Sequence, residues 1–316
     1  MISLTNRLLA DEIQWMQRSA PILGNQASPY CLDTPLPPKA RVLSIKDCNL
    51  NKLNRMMAAK RDHLLGIHYE TLWQYLFSLF PDLSVLFCNL QVQDEKKTQG
   101  EFDLIYRSLK TGQVFHRELA IKFYLGIPVM EPTNKISTQT PSTPWSQWVG
   151  PGLNDRLDKK AYHLIQHQIA LSKTPAAQHI LNQNNIAEVT PEILFQGYLF
   201  YPAAGDCPPP CYASPDHQKG YWVMLSDLQP WLSALTRTFQ FFCLPRPLWI
   251  ARYSTNSHGD GLSMKTLYHQ VQHQFLACPH PILVSACTKN RHYSLESFRF
   301  FIVPDEWPKA AQEACK

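Results

Sequence analysis

No stretch of this chain approaches the ~20 consecutive apolar residues that a membrane-spanning helix requires. The opening residues, MISLTNRLLADEIQWMQ, lack the apolar core of a secretory leader. Membrane insertion and export are therefore not expected. Charge is sparse as well: 17% of residues are Asp, Glu, Lys or Arg, and the balance is +5. Such a balance permits a polyanionic partner without demanding one. Internal repeats and coiled-coil heptads are absent, which excludes solenoids and long zippers. Nine scattered cysteines, an odd number, fit reduced thiols in a cytoplasmic protein better than a disulfide framework. Cys207-Pro-Pro-Pro-Cys211, with His217 nearby, has ligand-like spacing, but no second ligand pair follows. A proline-stiffened loop is the expected reading there. His269 and His273 are four apart, without the glutamate that a zincin helix places after its first His.

What is present is ample apolar material, 45% hydrophobic and 11% aromatic, which excludes global disorder. Residues 5–20 have helical periodicity, with Leu8, Leu9, Ile13 and Met16 on one side. A proline-rich connector follows over 20–40. Residues 60–80 predict an amphipathic helix that buries Leu65, Leu72, Leu76 and Phe80. Strands are expected over 84–92, 100–106 and 114–125. A loop rich in Pro, Ser and Thr spans 127–154, and Asn154 or Asp155 is placed to cap a helix over 156–172. Residues 191–202 read as a fourth strand. Farther on, GYWVML, PLWIARYS, PILVSAC and FRFFIVP read as strands, and 225–237 and 262–278 as helices. The class is α/β, in three segments: a helical extension and connector over 1–59, a core over 60–204, and an α/β region over 205–316.

The segment GEFDLIYRSLKTGQVFHRELAIKF, residues 100–123, reads as two strands and a turn. Side chains alternate along a strand, so Phe115, Arg117, Leu119, Ile121 and Phe123 share one face. His116, Glu118, Ala120, Lys122 and Tyr124 share the other. Glu101 and Asp103 likewise lie together on the strand before. One reading is an antiparallel hairpin with a solvated face, a cross-strand ion pair and His116 at the surface. The other is one wall of a metal-dependent site.

Residues 64–124 resemble the PD-(D/E)XK nuclease superfamily, in particular its members of the Holliday-junction-resolvase type. The resemblance rests on Gly66 and Glu70 in a helix, Asn89 near the end of a strand, and the run Gly100-Glu101-Phe102-Asp103-Leu104-Ile105. A strand bearing an acid and a lysine follows a short turn, here Glu118 and Lys122. The superfamily places that acid and lysine two apart; here they are four apart, with Ala120 between them. The offset displaces the acid by about 6 to 7 Å along the strand. Nearly the full length also resembles a bacterial family catalogued as domain of unknown function 1853. That resemblance rests on RELAIKFYL, GPGLNDRLDKKAYHLIQHQIALS and FIVPDEWP.

The resemblance implies a restriction-endonuclease-like core and hydrolysis of phosphodiester bonds in DNA. A metal cofactor, Mg²⁺ with Mn²⁺ as the alternative, would neutralise the phosphate and activate water. Asp103 is the first ligand expected, with Glu118 and Glu70 beside it. Lys122 takes the place of the catalytic lysine. Gln168, on the sheet-facing side of the second helix, matches a helical Gln that reaches the site in several such nucleases. Arg156, Lys159 and Lys160 open that helix, and phosphate contacts from such residues dominate nucleic-acid affinity. The rival expectation is a non-catalytic descendant of the fold that binds nucleic acid or another protein.

Overall fold

A computed structural model of the chain describes residues 4–37, 40–59, 64–94, 97–128, 142–256, 261–290 and 293–316. The protein is mixed α/β, with helices and a large sheet. In chain order come α1 (Leu4–Arg18), α2 (Leu50–Ala58), α3 (Leu65–Phe77), β1 (Leu83–Asp94), β2 (Lys97–Ser108) and β3 (Val114–Gly126). Then follow β4 (Trp148–Val149), α4 (Leu157–Tyr162), α5 (Pro175–Gln183), β5 (Thr190–Pro202), β6 (Gln218–Met224) and α6 (Leu225–Ser233). The last are β7 (Gln240–Cys243), β8 (Ser254–Asn256), α7 (Met264–Ala277), β9 (Ile282–Lys289), β10 (Tyr293–Val303) and α8 (Trp307–Ala314).

Two compact units form. Unit 1 takes Met1–Lys122, Lys160–Gln196 and Ser214–Asp216; unit 2 takes Phe123–Lys159, Gly197–Ala213 and His217–Lys316. The cuts fall inside β3 and β5, so each strand gives its first part to unit 1 and its second to unit 2.

In unit 1, β1, β2 and the first part of β3 form an antiparallel meander. Its hairpin turn uses Gly112 at φ 74°, a left-handed conformation open to glycine at little cost. One face of the meander packs Val92, Phe102, Ile105 and Val114 against Leu171, Ala177 and Leu181. The other takes α3 through an aromatic series in which Phe77 meets Tyr106 at 4.8 Å and Tyr106 stacks on Phe115 at 5.0 Å. A side chain as fully buried as Phe77 stabilises the fold by roughly 1.5–3 kcal/mol. The helix expected over 60–80 is α3; of its expected buried side, Leu72, Leu76 and Phe80 are buried and Leu65 is half-buried. Residues 60–63 lie outside the described residues.

Gln196 ties α1 to α3. Its amide nitrogen donates to the carbonyls of Met16 and Ser19 at 2.9 and 2.7 Å, and its oxygen accepts from the Tyr69 hydroxyl at 2.6 Å. The helix α5 was not expected from periodicity. Its start is Thr174-Pro175, where the threonine side chain caps the Ala177 amide and proline occupies the first turn.

In unit 2, the second part of β5 pairs parallel with β6, and β6 pairs parallel with β10. Antiparallel pairs join β10 to β9 and β9 to β7. Helices α6 and α7 bury Leu228, Leu232, Leu267 and Val271 against Val223, Val284, Phe300 and Ile302. The expected strand PLWIARYS does not form. Arg246–Leu248 is a 3-10 turn, and β8 begins only at Ser254. The carbonyls of Trp249 and Ala251 accept from the Arg299 guanidinium instead of a neighbouring strand.

The Cys207–Cys211 segment is a braced loop. Thr143 bridges to Pro210, and the Trp145 indole donates to the Cys211 carbonyl at 2.6 Å. Burial, with Asp206 and Cys315 nearby, pushes the Cys207 thiol up to about 12, far from the thiolate a metal needs. His217 engages the Tyr201 hydroxyl at 2.8 Å. His269 and His273 are exposed on α7.

Candidate functional site

The hairpin pairs Leu104 with Arg117, Ile105 with His116, Tyr106 with Phe115 and Arg107 with Val114. It is antiparallel, as its pattern requires. The ladder stops at Leu104. There the Asp103 side chain takes over, and its Oδ2 accepts from the Leu119 amide at 2.8 Å. The carboxylate therefore reaches along the sheet to β3. On the other edge of β2, Cys88 pairs with Leu104 and Leu90 with Phe102, which sets Asn89 opposite Asp103. Asn89 has φ 51°, a left-handed conformation that asparagine tolerates better than most residues. Phe102 and Ile105, three apart, both pack into one apolar cluster. A regular strand would send them to opposite faces. The alternation thus breaks at the Asn89–Asp103 pair, where the Asp103 carboxylate turns toward the Leu119 amide.

Polar side chains converge on this break. From α3, Gln74 Nε2 donates to Asn89 Oδ1 at 2.8 Å and to the Asp103 carbonyl at 3.2 Å. Asn89 Nδ2 in turn donates to Glu70 Oε2 at 3.4 Å. Glu70 and Gln74 are one helical turn apart and share a face, so one helix delivers both. From β3, Glu118 accepts twice: Oε1 from His116 Nε2 at 2.5 Å, and Oε2 from Gln168 Nε2 at 2.8 Å. Gln168 ends a π-helical turn, His163–Gln168, that continues α4 before a 3-10 turn, Ile169–Lys173. Such π-turns are rare inside helices and are frequent at functional sites. The segment settles close to β2 because residue 100 is glycine; a Cβ there would meet Leu171 Cδ2 at 3.0 Å.

The expectation of a solvated hairpin face is corrected here. His116, Arg117 and Glu118 are each 0–1% exposed. Both faces are covered because α3 lies on the side of Tyr106 and Arg117, while the α4 continuation lies on the side of Glu118. His116, expected at the surface, packs edge-on against Phe102 at 4.5 Å. Its Nε2 faces Glu118 Oε1, and its Nδ1 has no hydrogen-bond partner among the described residues. Glu70 was expected beside Glu118 as a second ligand; instead its helix packs on the opposite face, and Glu70 approaches Asp103 through Asn89. Arg117, grouped with an apolar face by alternation, is held by Glu192 at 2.8 Å and the Pro35 carbonyl at 2.8 Å. It also lies over the Phe77 ring at 4.8 Å.

Electrostatics single out Asp103. Burial raises its carboxyl well above the usual range, and Glu118 and Glu70 push the same way. The Leu119 amide and Lys160 oppose the rise without cancelling it. His163 is held below the ordinary imidazole value by partial burial and by Lys160 and His167, against the pull of Glu118. Lys122 follows Glu118 on the same face by alternation, and it is half-buried.

The structure thus brings Asp103, Glu118, Glu70, Gln168 and Lys160 into one neighbourhood. Among the described residues, no three His, Cys, Asp or Glu side chains stand close enough to hold one metal ion. Arg156 is engaged elsewhere. It grips both oxygens of Asp158 at 2.7 and 2.8 Å and donates to the Ala314 carbonyl at 2.8 Å. Lys159 is exposed. Sequence reasoning missed the role of Gln74, although its spacing of one turn from Glu70 was a usable signal. It also missed His116 as the partner of Glu118, which alternation alone could have paired.

The profile of the family described as Domain of unknown function (DUF1853) matches residues 11–303, and the chain belongs to that family. No curated protein and no solved structure matches it. No described helix is long and apolar enough to cross a membrane.

Proposed function

We propose that this DUF1853 chain is a Mg²⁺-dependent, nuclease-like hydrolase of phosphodiester bonds in DNA, with Mn²⁺ as the alternative ion. A PD-(D/E)XK-like core over residues 60–204 would carry its site. The observation behind this reading is the buried group of like charges at Asp103, whose carboxyl is raised first by burial and then by Glu118 and Glu70, with the Leu119 amide and Lys160 opposing them. Oxygen donors of this kind suit a hard cation, and the repulsion among them is the condition that such a cation relieves. A cation drawn to Asp103 would supply charge neutralisation at the phosphate and an activated water, and Glu118 or Glu70 would have to turn toward Asp103 to share it.

The chain's own groups have separable roles. The Leu119 amide fixes Asp103 Oδ2 and so orients the carboxylate. His116 and Gln168 hold Glu118 from two sides, so its carboxylate stays oriented inside the fold. Lys122, on the face of Glu118, is the group to stabilise charge as it develops on the phosphate. Lys159 and Lys160 would meet the DNA backbone; Arg156 is committed to Asp158.

A second reading has its own support. Both Glu118 oxygens are engaged within the fold, and Glu118 and Lys122 are four apart where the superfamily has two. A protein that keeps the fold and binds nucleic acid or a protein without cleaving would look the same in these respects. The deciding experiment is a cleavage assay on single-stranded, duplex, branched and flapped DNA, and on RNA, with Mg²⁺ or Mn²⁺. Hydrolysis that EDTA stops and Asp103→Asn abolishes is expected. Activity of that variant equal to wild type would remove Asp103 from the site, and no cleavage of any substrate would leave the binding module.

A further inference from the structure

We propose that Tyr162 and the π-turn after it form a platform for one unpaired nucleotide of a nucleic-acid strand, seated beside Glu118. The inference rests on the nuclease-like reading for its location but not for its chemistry, since binding needs no hydrolysis.

Tyr162 ends α4 and is 61% exposed. It does not stand alone. The His167 ring lies 5.6 Å from Tyr162, and the His163 ring lies 5.7 Å from His167. Both histidines are exposed. Three neighbouring rings on an open helical surface resemble the stacking surfaces on which proteins hold splayed bases.

Next to these rings is a cavity of about 720 Å³. Its polar lining includes Thr98, Thr174, Gln99, Gln166 and Gln168 with the two histidines, and none of the lining residues is acidic. Amides, hydroxyls and imidazoles offer both donors and acceptors, which is what the edge of a base presents. The volume is that of a site for one nucleotide-sized ligand, as such sites run to about 300–1,000 Å³. A paired base has its Watson–Crick edge occupied and its faces stacked, so only an unpaired one can use these groups.

The cavity is joined to the carboxylates by a single side chain. Gln168 lines it and also donates to Glu118 Oε2 at 2.8 Å. The charged groups whose fields reach His163 are Lys160 and His167 on its own helical segment and Glu118 on β3. Lys160 is thus placed to meet the phosphate of a strand whose base lies on the rings, and that phosphate would come near Glu118. A π-turn in this position has a clear use. It spreads His163, Gln166, His167 and Gln168 around a wider turn than an α-helix gives, so that Gln168 can face inward while the rings face solvent.

The test is binding in EDTA, read by fluorescence anisotropy of short labelled oligothymidylate, oligouridylate and a blunt DNA duplex. A single strand should bind at least about tenfold tighter than the duplex, and the two strands separate a DNA from an RNA ligand. Tyr162→Ala should weaken single-strand binding about tenfold, the scale of one lost stacking contact. Tyr162→Phe should restore it, because the ring and not the hydroxyl does the stacking. Unchanged affinity in Tyr162→Ala, or a duplex bound as tightly as a single strand, overturns the platform. Tyr162-dependent binding without any cleavage would support the platform and sink the hydrolase; cleavage by wild type with binding indifferent to Tyr162 would do the reverse.

Discussion

In unit 2 the guanidinium of Arg299, 1% exposed, meets Glu296 at 2.8 Å and also donates to the carbonyls of Trp249 and Ala251. It lies over the Tyr198 ring at 4.2 Å, and the second Glu296 oxygen accepts from the Tyr253 amide at 3.0 Å. In unit 1, Asp103, Glu118 and Glu70 share a neighbourhood in which their charges oppose one another. Buried charge is costly in both places. Around Arg299 each charge has an opposite charge and fixed dipoles, so burial yields a rigid support for the turn that replaces an expected strand. Around Asp103 the nearest charges, Glu118 and Glu70, have the same sign as its own carboxylate, and Lys160 opposes them. Like charges gathered in a buried place mark a candidate site for a cation or a reaction.

The largest test of this contrast is at Arg299. Arg299→Met should cost about 3–5 kcal/mol in urea unfolding, because Glu296, 3% exposed, would be left buried and unpaired. Adding Glu296→Leu should recover much of that loss, since a buried pair often gives way to apolar residues of similar volume. A single variant within about 1 kcal/mol of wild type would show that the pair is no closed support.

The next test is at Asp103, where the sign reverses. Its folded-state pKa is raised above the unfolded value of about 4. The native chain therefore holds a proton that the unfolded chain has released across the window between the two. Stability from this group is full below about pH 4 and is lost as pH rises through the folded value. In EDTA at pH 7, Asp103→Asn should thus raise the unfolding midpoint, and the advantage should vanish in acid. Mg²⁺ should do in wild type what the substitution does without it, with a gain of about 2.7 kcal/mol at a hundredfold excess over Kd. Thermal scans of both chains with and without Mg²⁺ read all of this. A midpoint lowered by Asp103→Asn, with no response of wild type to Mg²⁺ or Mn²⁺, would make Asp103 a structural cap of the Leu119 amide.

Much of unit 1 was legible because its signals are local. Periodicity found α3, β1, β2 and β3, and the short turn with Gly112 fixed their antiparallel pairing. The acids and lysines of the motif were legible as residue types at spacings. What stayed hidden depends on neighbours far along the chain. Alternation puts His116 and Glu118 on one face, but nothing local says that Leu171 and Gln168 will cover it. Burial reversed the reading of that face without altering its pattern. The π-turn has no composition of its own, and Asn89's left-handed backbone follows from its strand neighbours. PLWIARYS misled because β-branched and aromatic residues mark a strand only where backbone partners exist, and Arg299 takes those carbonyls.

The smallest expected effect concerns how the helical segment over Glu118 is seated. Gly100 lies on β2 below Leu171, and a Cβ there would come within 3.0 Å of Leu171 Cδ2 and 3.2 Å of its Cδ1. In a strand, exchange of glycine for alanine ordinarily gains up to about 1 kcal/mol through lower chain entropy. Here the contact is tighter than ordinary packing, and Leu171 has little room because Val92, Phe102 and Ala177 pack in the same cluster. Overpacking of this kind costs about 1–3 kcal/mol, so the two contributions nearly offset and Gly100→Ala should lower stability by about 1 kcal/mol. The informative measurement is the double-mutant cycle with Leu171→Ala. That change alone creates a cavity and should cost about 2–5 kcal/mol. If the alanine methyl at 100 fills part of that space, the double variant should be more stable than the sum of the singles by at least about 0.5 kcal/mol. Cleavage or strand binding by Gly100→Ala should fall more than its stability does, because the displaced segment carries Gln168 away from Glu118. An additive cycle, or a Gly100→Ala chain with full function, would mean that the seat of Gln168 does not depend on this glycine, and the break at Asn89 and Asp103 would then have to hold the site in place by itself.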